Sequence, residues 1–264
     1  MENETIWQMF DMHGKVAIVT GGGTHLGTAF TESLAELGAH VYIASRRAEL
    51  CENVAARLRD KGLLVTGLGC DATNEEAVRT LIEKVLSTSG RLDVLVANAG
   101  GGRVTRHPPD GDLGEFRASL EMNMVSTYIC GQEAAKAMLA QKSGAIITLG
   151  SIASRLAMDT RIYNAGFKRS GAPYIAAKSG ILGLTRALAA EFSPHGIRVN
   201  CISPGQIPND QTDKDQVETF RQMNAFQRTG LAEDLKGAVA LLASDAGAWI
   251  TGQEIVVDGG WSIW

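Results

Sequence analysis

Tyr174 and Lys178 are separated by three residues in the run Tyr174-Ile175-Ala176-Ala177-Lys178. Side chains four apart share a helical face, so a helix here brings an ammonium beside a phenol. A phenol with the ordinary pKa near 10 is a poor base at neutral pH. A neighbouring cation favours the phenolate and lowers that value. Tyr174 would then give a proton to a carbonyl oxygen, or take one from an alcohol. Ser151, at the end of an apolar run, is placed to hydrogen-bond the same oxygen as charge develops on it. The spacing alone equally describes a buried tyrosine beside an exposed lysine, so its meaning rests on the residues that accompany it.

The first apolar run of the chain passes into Thr20-Gly21-Gly22-Gly23-Thr24-His25-Leu26-Gly27 and then into a helical pattern. Glycines at a strand-to-helix turn let the backbone bend sharply and approach a pyrophosphate. The helix N-terminus adds free N–H groups and positive dipole. The second run ends in Ser45-Arg46-Arg47, with no carboxylate to bind a ribose diol. A guanidinium offers bidentate bonds to a 2′-phosphate instead, which favours NADP(H) over NAD(H). Arg46 is the expected main contact, with Ser45 and Arg47 as helpers; alternatively, both arginines are solvated residues opening a helix. Asp71, followed by Ala72, can accept from an adenine amino group or help cap the next helix. The small residues of Asn98-Ala99-Gly100-Gly101-Gly102 would let a dinucleotide lie against the backbone. The positive ring of an oxidised nicotinamide would further favour phenolate at Tyr174.

The elements that must hold these residues are legible as alternating short apolar runs and longer helical patterns. Strands are expected at Lys15–Thr20, His40–Ser45, Leu64–Gly69, Leu92–Ala97, Ala145–Leu149, Arg198–Ser203 and Glu254–Asp258. Several are apolar on both faces, as in parallel strands covered on both sides. Helices are expected at Leu26–Leu37, at Asn74–Ser87 behind a Thr73/Glu76 capping box, and at Phe116–Gln141, Tyr174–Phe192 and Leu231–Ser244. This alternation predicts an α/β fold: a Rossmann-type doubly wound parallel sheet of about seven strands, in one domain over residues 1–264. Two long connections, roughly Ile152–Pro173 and Gly205–Lys214, fall at strand carboxyl ends, where ligands bind in such sheets.

Composition narrows the functions. The chain has 264 residues, a 45% apolar fraction and a net charge of −4 without a basic block, which argues against nucleic acid or an anionic membrane as partner. Cys51, Cys70, Cys130 and Cys201 form no C-x-x-C pair, so no metal site is expected, and reduced thiols suit a cytoplasmic location. Residues Met1 to Lys15 lack the basic and apolar regions of a signal peptide, and no run reaches membrane-span length.

In order, the parts resemble the short-chain dehydrogenase/reductase family from about Gly14 to Trp261. The matching pieces are Thr20-Gly21 with Gly27, Asp71, Asn98-Ala99-Gly100, Asn123, Ser151, Tyr174-x-x-x-Lys178, Pro204-Gly205 and Val257-Asp258-Gly259-Gly260. The resemblance implies an oxidoreductase moving a hydride between a nicotinamide and a carbonyl or alcohol carbon of a small molecule. It also implies a tetrad of Asn123, Ser151, Tyr174 and Lys178, and a homotetramer. In that family the asparagine helps place a water that links the lysine to solvent; a packed polar residue at a helix bend is the plainer alternative. Two departures stand out. His25 occupies a position where the family usually has glycine, and its imidazole could reach a phosphate oxygen or a loop. The distance from Ser151 to Tyr174 is longer than usual; Tyr163 stands at the commoner distance, but residue 167 is Phe rather than Lys, so Tyr163 reads as part of an inserted loop.

The inserted loop carries Arg155, Asp159, Arg161, Tyr163, Asn164, Lys168 and Arg169; Arg103, Arg106 and His107 follow the fourth run, and Gln206, Asn209, Asp210 and Gln211 lie in the second long connection. Such a rim suits a hydroxylated or anionic substrate, although surface loops are polar in any case. The insertion, Pro204-Gly205-x-x-Pro208-Asn209 and Asp258-Gly259-Gly260-Trp261 look like a sugar-acid or polyol branch of the gluconate 5-dehydrogenase type. The family's threonine after Pro-Gly is not obvious, and Ile207 would offer a backbone contact to the nicotinamide carboxamide in its place. The 205–214 connection could close as a lid. Trp261 and Trp264 would either cross a subunit boundary or cover their own core. A 3-oxoacyl-thioester reductase would use the same tetrad, and a non-catalytic cofactor-binding or scaffold protein is the alternative of another class.

Overall fold

Runs of Val, Ile and Ala that are apolar on both sides become the strands of one parallel sheet, because both faces of such a sheet are covered. The strands are β1 (Val16–Thr20), β2 (His40–Ser45), β3 (Val65–Gly69), β4 (Val94–Ala97), β5 (Gly144–Leu149), β6 (Ile197–Pro204) and β7 (Glu254–Val257). The computed structural model describes residues 4–101, 106–157, 159–160 and 169–264. The sheet order is β3-β2-β1-β4-β5-β6-β7, every pairing parallel. The chain winds outward from β1 to β3 and resumes at β4 beside β1. That reversal opens a crevice at the carboxyl ends of β1 and β4.

The helices are α1 (Ile6–Phe10), α2 (Leu26–Glu36), α3 (Ala48–Arg59), α4 (Glu75–Ser89), α5 (Leu113–Leu120), α6 (Ser126–Gln141), α7 (Ala172–Phe192), α8 (Lys214–Met223) and α9 (Lys236–Ala243). Alternate residues of each strand feed two apolar layers. Val19, Ile43 and Val96 join Phe30 and Leu34 of α2, Leu58 of α3 and Leu242 of α9. Ile18, Tyr42 and Leu95 join Leu81 and Val85 of α4, Met138 of α6 and Leu188 of α7. Burial of each large side chain contributes roughly 1.5–3 kcal/mol, so the strand ends are firm supports for the loops that leave them. Among the described residues no helix is long and apolar enough to cross a membrane, and no cluster of His, Cys, Asp and Glu could hold a metal ion.

Several expectations need correction. The helix expected over Phe116–Gln141 is interrupted by a π turn at Glu121–Val125, where the Ser126 N–H reaches back to the Glu121 carbonyl. The cause is local: the Asn123 amide takes the Ser119 carbonyl at 2.9 Å, and the Ser126 and Thr127 hydroxyls take those of Met122 and Asn123 at 2.7 Å. The fourth helix is capped by Asn74, whose side chain accepts from the Ala77 N–H at 2.9 Å, and not by Thr73. Thr73 instead donates to Asp71. The helix expected from Leu231 begins as a 3₁₀ turn, Ala232–Leu235. Helices α1 and α8 were not among the expected elements, and α3, with Arg47 at its N-cap, is the helix that the alternative reading of Arg46 and Arg47 has them open.

Candidate active site

A cleft of about 620 Å³ opens where the strand order reverses. The sequence-derived residues that line it are Gly21, Gly23, Thr24, His25, Leu26, Gly27, Ser45, Arg46, Arg47, Asp71, Ala72, Asn98, Ala99, Gly100, Ser151, Tyr174, Lys178, Pro204, Gly205 and Ile207. Asn123 lies behind the wall, 1% exposed. Gly101, expected with Asn98 to Gly100 in the small-residue stretch after the fourth run, lines the cleft too; Leu50, Cys70, Thr73, Met122, Leu149 and Gly150 also line it and were not anticipated. Met122 belongs to the π turn, where it precedes the buried Asn123.

At the β1–α2 turn the backbone is drawn in tightly. A Cβ on Gly27 would stand 2.1 Å from the Gly21 carbonyl oxygen, and Gly21, at φ +66°, lies against Ala99. Asn98 ties the end of β4 to this turn through bonds of 3.0 and 3.2 Å to the Thr20 and Gly21 carbonyls, and the Ala99 N–H donates to the Thr20 hydroxyl at 3.0 Å. The Asn98 amide nitrogen is thus committed to structure. The Ser45 hydroxyl is 3.2 Å from the Arg47 N–H that it accepts and 3.1 Å from Cys51 Sγ. Arg46 and Arg47 are exposed, and neither guanidinium donates a hydrogen bond to a described residue. Asp71 accepts from the Thr73 N–H and hydroxyl, which hold its carboxyl below the usual range, with Arg46 adding a smaller electrostatic contribution. A glycine cradle without room for side chains, with an open guanidinium at one end, fits a dinucleotide pyrophosphate and ribose.

The other end of the cleft is made of side chains. Tyr174 and Lys178 sit in the first turns of α7, with Lys178 Nζ 5.7 Å from the centre of the Tyr174 ring. Ser151, at the end of β5, hydrogen-bonds the phenol, and its hydroxyl also accepts from the Ala153 N–H at 3.1 Å. Lys178 is buried and donates to the Leu149 carbonyl at 2.7 Å. Burial brings its pKa down to about 8. The Tyr174 phenol, by contrast, is pushed up by burial, with the Ser151 bond acting against the rise. Lys178 and Ser151 therefore do not by themselves produce the lowered phenol that the sequence suggested; desolvation outweighs them. Asn123 is locked to Gly101, accepting from its N–H at 2.8 Å and donating to its carbonyl at 2.9 Å. Its amide thus serves both the helix break and the strand-end loop.

The rim is only partly as expected. Arg155 is committed to Glu254 at 2.5 Å across to β7, so it is not open to a substrate. Arg103, Arg161, Tyr163, Asn164, Phe167 and Lys168 lie outside the described residues. Trp261 packs edge-on against Phe220 of its own chain, with ring centres 5.8 Å apart, whereas Trp264 is 76% exposed.

Comparison with known proteins agrees with this geometry. Residues 23–262 match the family model described as enoyl-(acyl carrier protein) reductase. The chain is 34% identical over 255 residues to a mitochondrial borneol dehydrogenase of Lavandula x intermedia, covering 96% of this chain and 92% of the relative. It is 31% identical to the D-threitol dehydrogenase of Mycolicibacterium smegmatis, covering 96% and 95% of the two chains. Its fold matches the crystal structure of a gluconate 5-dehydrogenase from Burkholderia cenocepacia in complex with NADP and tartrate, with a TM-score of 0.89, 28% identity and coverage of 98% and 100%. The chain belongs to the short-chain dehydrogenase/reductase family, and is an NAD(P)(H)-binding oxidoreductase that acts on an alcohol or ketone group.

Proposed function

We propose that the protein is an NADP(H)-dependent oxidoreductase that interconverts a ketone and a secondary alcohol on a polar metabolite, with a sugar acid or polyol as the substrate class. The observation that carries the reading is the pairing, in one cleft, of an open guanidinium at the end of β2 with the Ser151–Tyr174–Lys178 group at the start of α7. Arg46 would grip the 2′-phosphate, with Ser45 and Arg47 beside it; the Gly21–Gly27 turn would hold the pyrophosphate; Asp71 and Ala72 would border the adenine; and Asn98 to Gly100 would form the floor. Pro204, Gly205 and Ile207 would border the nicotinamide. When bound, the nicotinamide supplies the hydride donor or acceptor, and in its oxidised form a positive charge near the phenol.

The chain's own residues manage the proton. In reduction Tyr174 would give its phenolic proton to the carbonyl oxygen; in oxidation the phenolate would take the proton from the alcohol. Ser151 steadies the same oxygen. Lys178, held by the Leu149 carbonyl, opposes desolvation of the phenolate with its charge. Asn123 keeps Gly101 and the adjoining loop in place behind the lysine. The likeness to gluconate 5-dehydrogenase and D-threitol dehydrogenase supports the sugar-acid or polyol branch. The exposed Ile263 and Trp264 and the half-buried edge strand β7 support association into the family's homotetramer.

Tyr174→Phe tests the reading. With a substrate found by screening keto-sugar acids, keto-polyols and a 3-oxoacyl thioester, the expected loss in kcat is roughly 10²–10⁴-fold with NADPH affinity retained. Unchanged turnover would contradict Tyr174 as the acid/base.

A further inference from the structure

The family's usual glycine is replaced at residue 25 by histidine, in the middle of a turn that keeps Gly21, Gly22, Gly23 and Gly27. The replacement is not free. His25 adopts φ +46° and ψ −121°, a conformation that glycine takes without strain and a β-carbon does not. Strain of this kind persists only where its surroundings hold it, and it is enriched where a side chain has work to do.

The side chain does not cap the helix it precedes: His25 stands at the N-cap of α2 and makes no capping bond with its side chain. Instead, its Nε2 lies 3.3 Å from the carbonyl oxygen of Pro208, 183 residues away in sequence. Pro208 belongs to the connection between β6 and α8, the same stretch whose Pro204, Gly205 and Ile207 line the cleft. On its far side that connection is held at Gln206, whose carbonyl accepts from the Gly230 N–H at 2.9 Å. Between Asn209 and Thr212 a turn is closed by the Thr212 N–H donating to the Asn209 carbonyl and the Asn209 N–H donating to the Thr212 hydroxyl. As proline, residue 208 has no N–H of its own to donate, so its carbonyl is the backbone hydrogen-bonding group available there.

We propose that His25 is a positioning residue whose imidazole straps the 206–213 segment across the cleft, from the pyrophosphate turn on one wall to the nicotinamide wall on the other. His25 and Ile207, the residue before Pro208, border one cavity, so the strap crosses the path by which a bound dinucleotide leaves. It holds Ile207 at the wall and slows release of the nucleotide. The part concerning release rests on the reading of the cleft as the dinucleotide site; the anchoring of the segment does not.

The test uses the full chain and three variants. His25→Ala removes the imidazole, His25→Gly removes it together with the strain, and His25→Gln returns an N–H donor on a side chain of similar reach. Amide hydrogen exchange is measured over residues 206–213 in nucleotide-free protein, and NADPH release by stopped-flow displacement. The expected result is exchange about five-fold faster in both His25→Ala and His25→Gly, the factor that one ordinary hydrogen bond supplies, with matching acceleration of NADPH release. His25→Gln should recover part of each. A residue that merely filled space would leave His25→Gln and His25→Ala alike. Unchanged exchange in His25→Ala and His25→Gly would overturn the strap. Faster exchange with unaltered NADPH release would overturn its placement across the exit path. Wild-type protein that binds neither NADPH nor NADH would instead overturn the reading of the cleft, while the exchange data still decide whether His25 anchors the segment.

Discussion

At the β1–α2 turn and the neighbouring end of β2 the groups offered to a ligand are backbone amides and the exposed guanidiniums of Arg46 and Arg47. At the start of α7, by contrast, Ser151, Lys178 and the neighbouring Asn123 already hold bonds of 2.7–3.1 Å within the protein. The first region is shaped by the exclusion of side chains, so its tolerance is steric. The second is shaped by buried polar groups in a dry setting, so its tolerance is electrostatic. A nucleotide can be gripped by the first arrangement with little commitment of charge. A proton can be moved by the second because burial sets Tyr174 and Lys178 in opposite directions from their ordinary values.

Substitutions that breach one logic and not the other should separate the two ends. Gly27→Ala should do the most damage: its β-carbon would lie 2.1 Å from the Gly21 oxygen, and relieving it requires the turn to move. The expected cost is about 3 kcal/mol in stability, with loss of measurable nucleotide binding. Urea denaturation and calorimetric titration would check both, and binding retained at wild-type strength would break the steric account.

Lys178→Met probes the other end. Below pH 8 the ammonium is protonated in both folded and unfolded chains, and its burial weighs against folding. Between about 8 and the ordinary 10.5, the folded chain has released a proton that the unfolded chain still holds, so wild-type stability should gain with pH relative to the variant. The difference should change by about 3 kcal/mol across that window. A constant offset, which loss of the bond to the Leu149 carbonyl would also produce, is not the signal; a flat difference across the window would contradict the buried-lysine account.

Asn123→Ala should have a smaller effect, roughly 1–3 kcal/mol, because it leaves the Gly101 N–H and carbonyl without their partner. Faster hydrogen exchange at Gly101, alongside lowered kcat and unaltered NADPH affinity, would mark the asparagine as part of the chemical end. Equal losses in nucleotide affinity and turnover would blur the distinction between the two regions.

Much of this was legible from residue types. The runs apolar on both sides matched all seven strands to within two residues at each end, and the glycine turn, Arg46, Ser151, Tyr174 and Lys178 converge on one cleft. What the sequence did not display depended on partners distant in the chain. Asn123 also ties the locally caused break at Glu121–Val125 to Gly101, 22 residues earlier, an anchor that no nearby residue reveals. Arg155 looked like a substrate ligand until Glu254, 99 residues on, proved to hold it. Helix α8 was missed although Val217, Phe220 and Met223 recur at helical spacing, because the segment is short and otherwise polar and reads as part of the long connection after β6. The phenol's displacement upward was missed because burial is a property of the fold, not of Tyr-x-x-x-Lys spacing.

The most direct test is calorimetric titration of the wild-type protein with NADPH and with NADH, repeated for Arg46→Ala. Loss of a charge-assisted bond to a 2′-phosphate is worth about 1.5–3 kcal/mol. Wild-type protein should therefore bind NADPH at least about ten-fold more tightly than NADH, and Arg46→Ala should abolish the preference by weakening NADPH alone. Equal or tighter binding of NADH by the wild type, or equal weakening of both nucleotides in the variant, would contradict the reading of Arg46 as the 2′-phosphate contact.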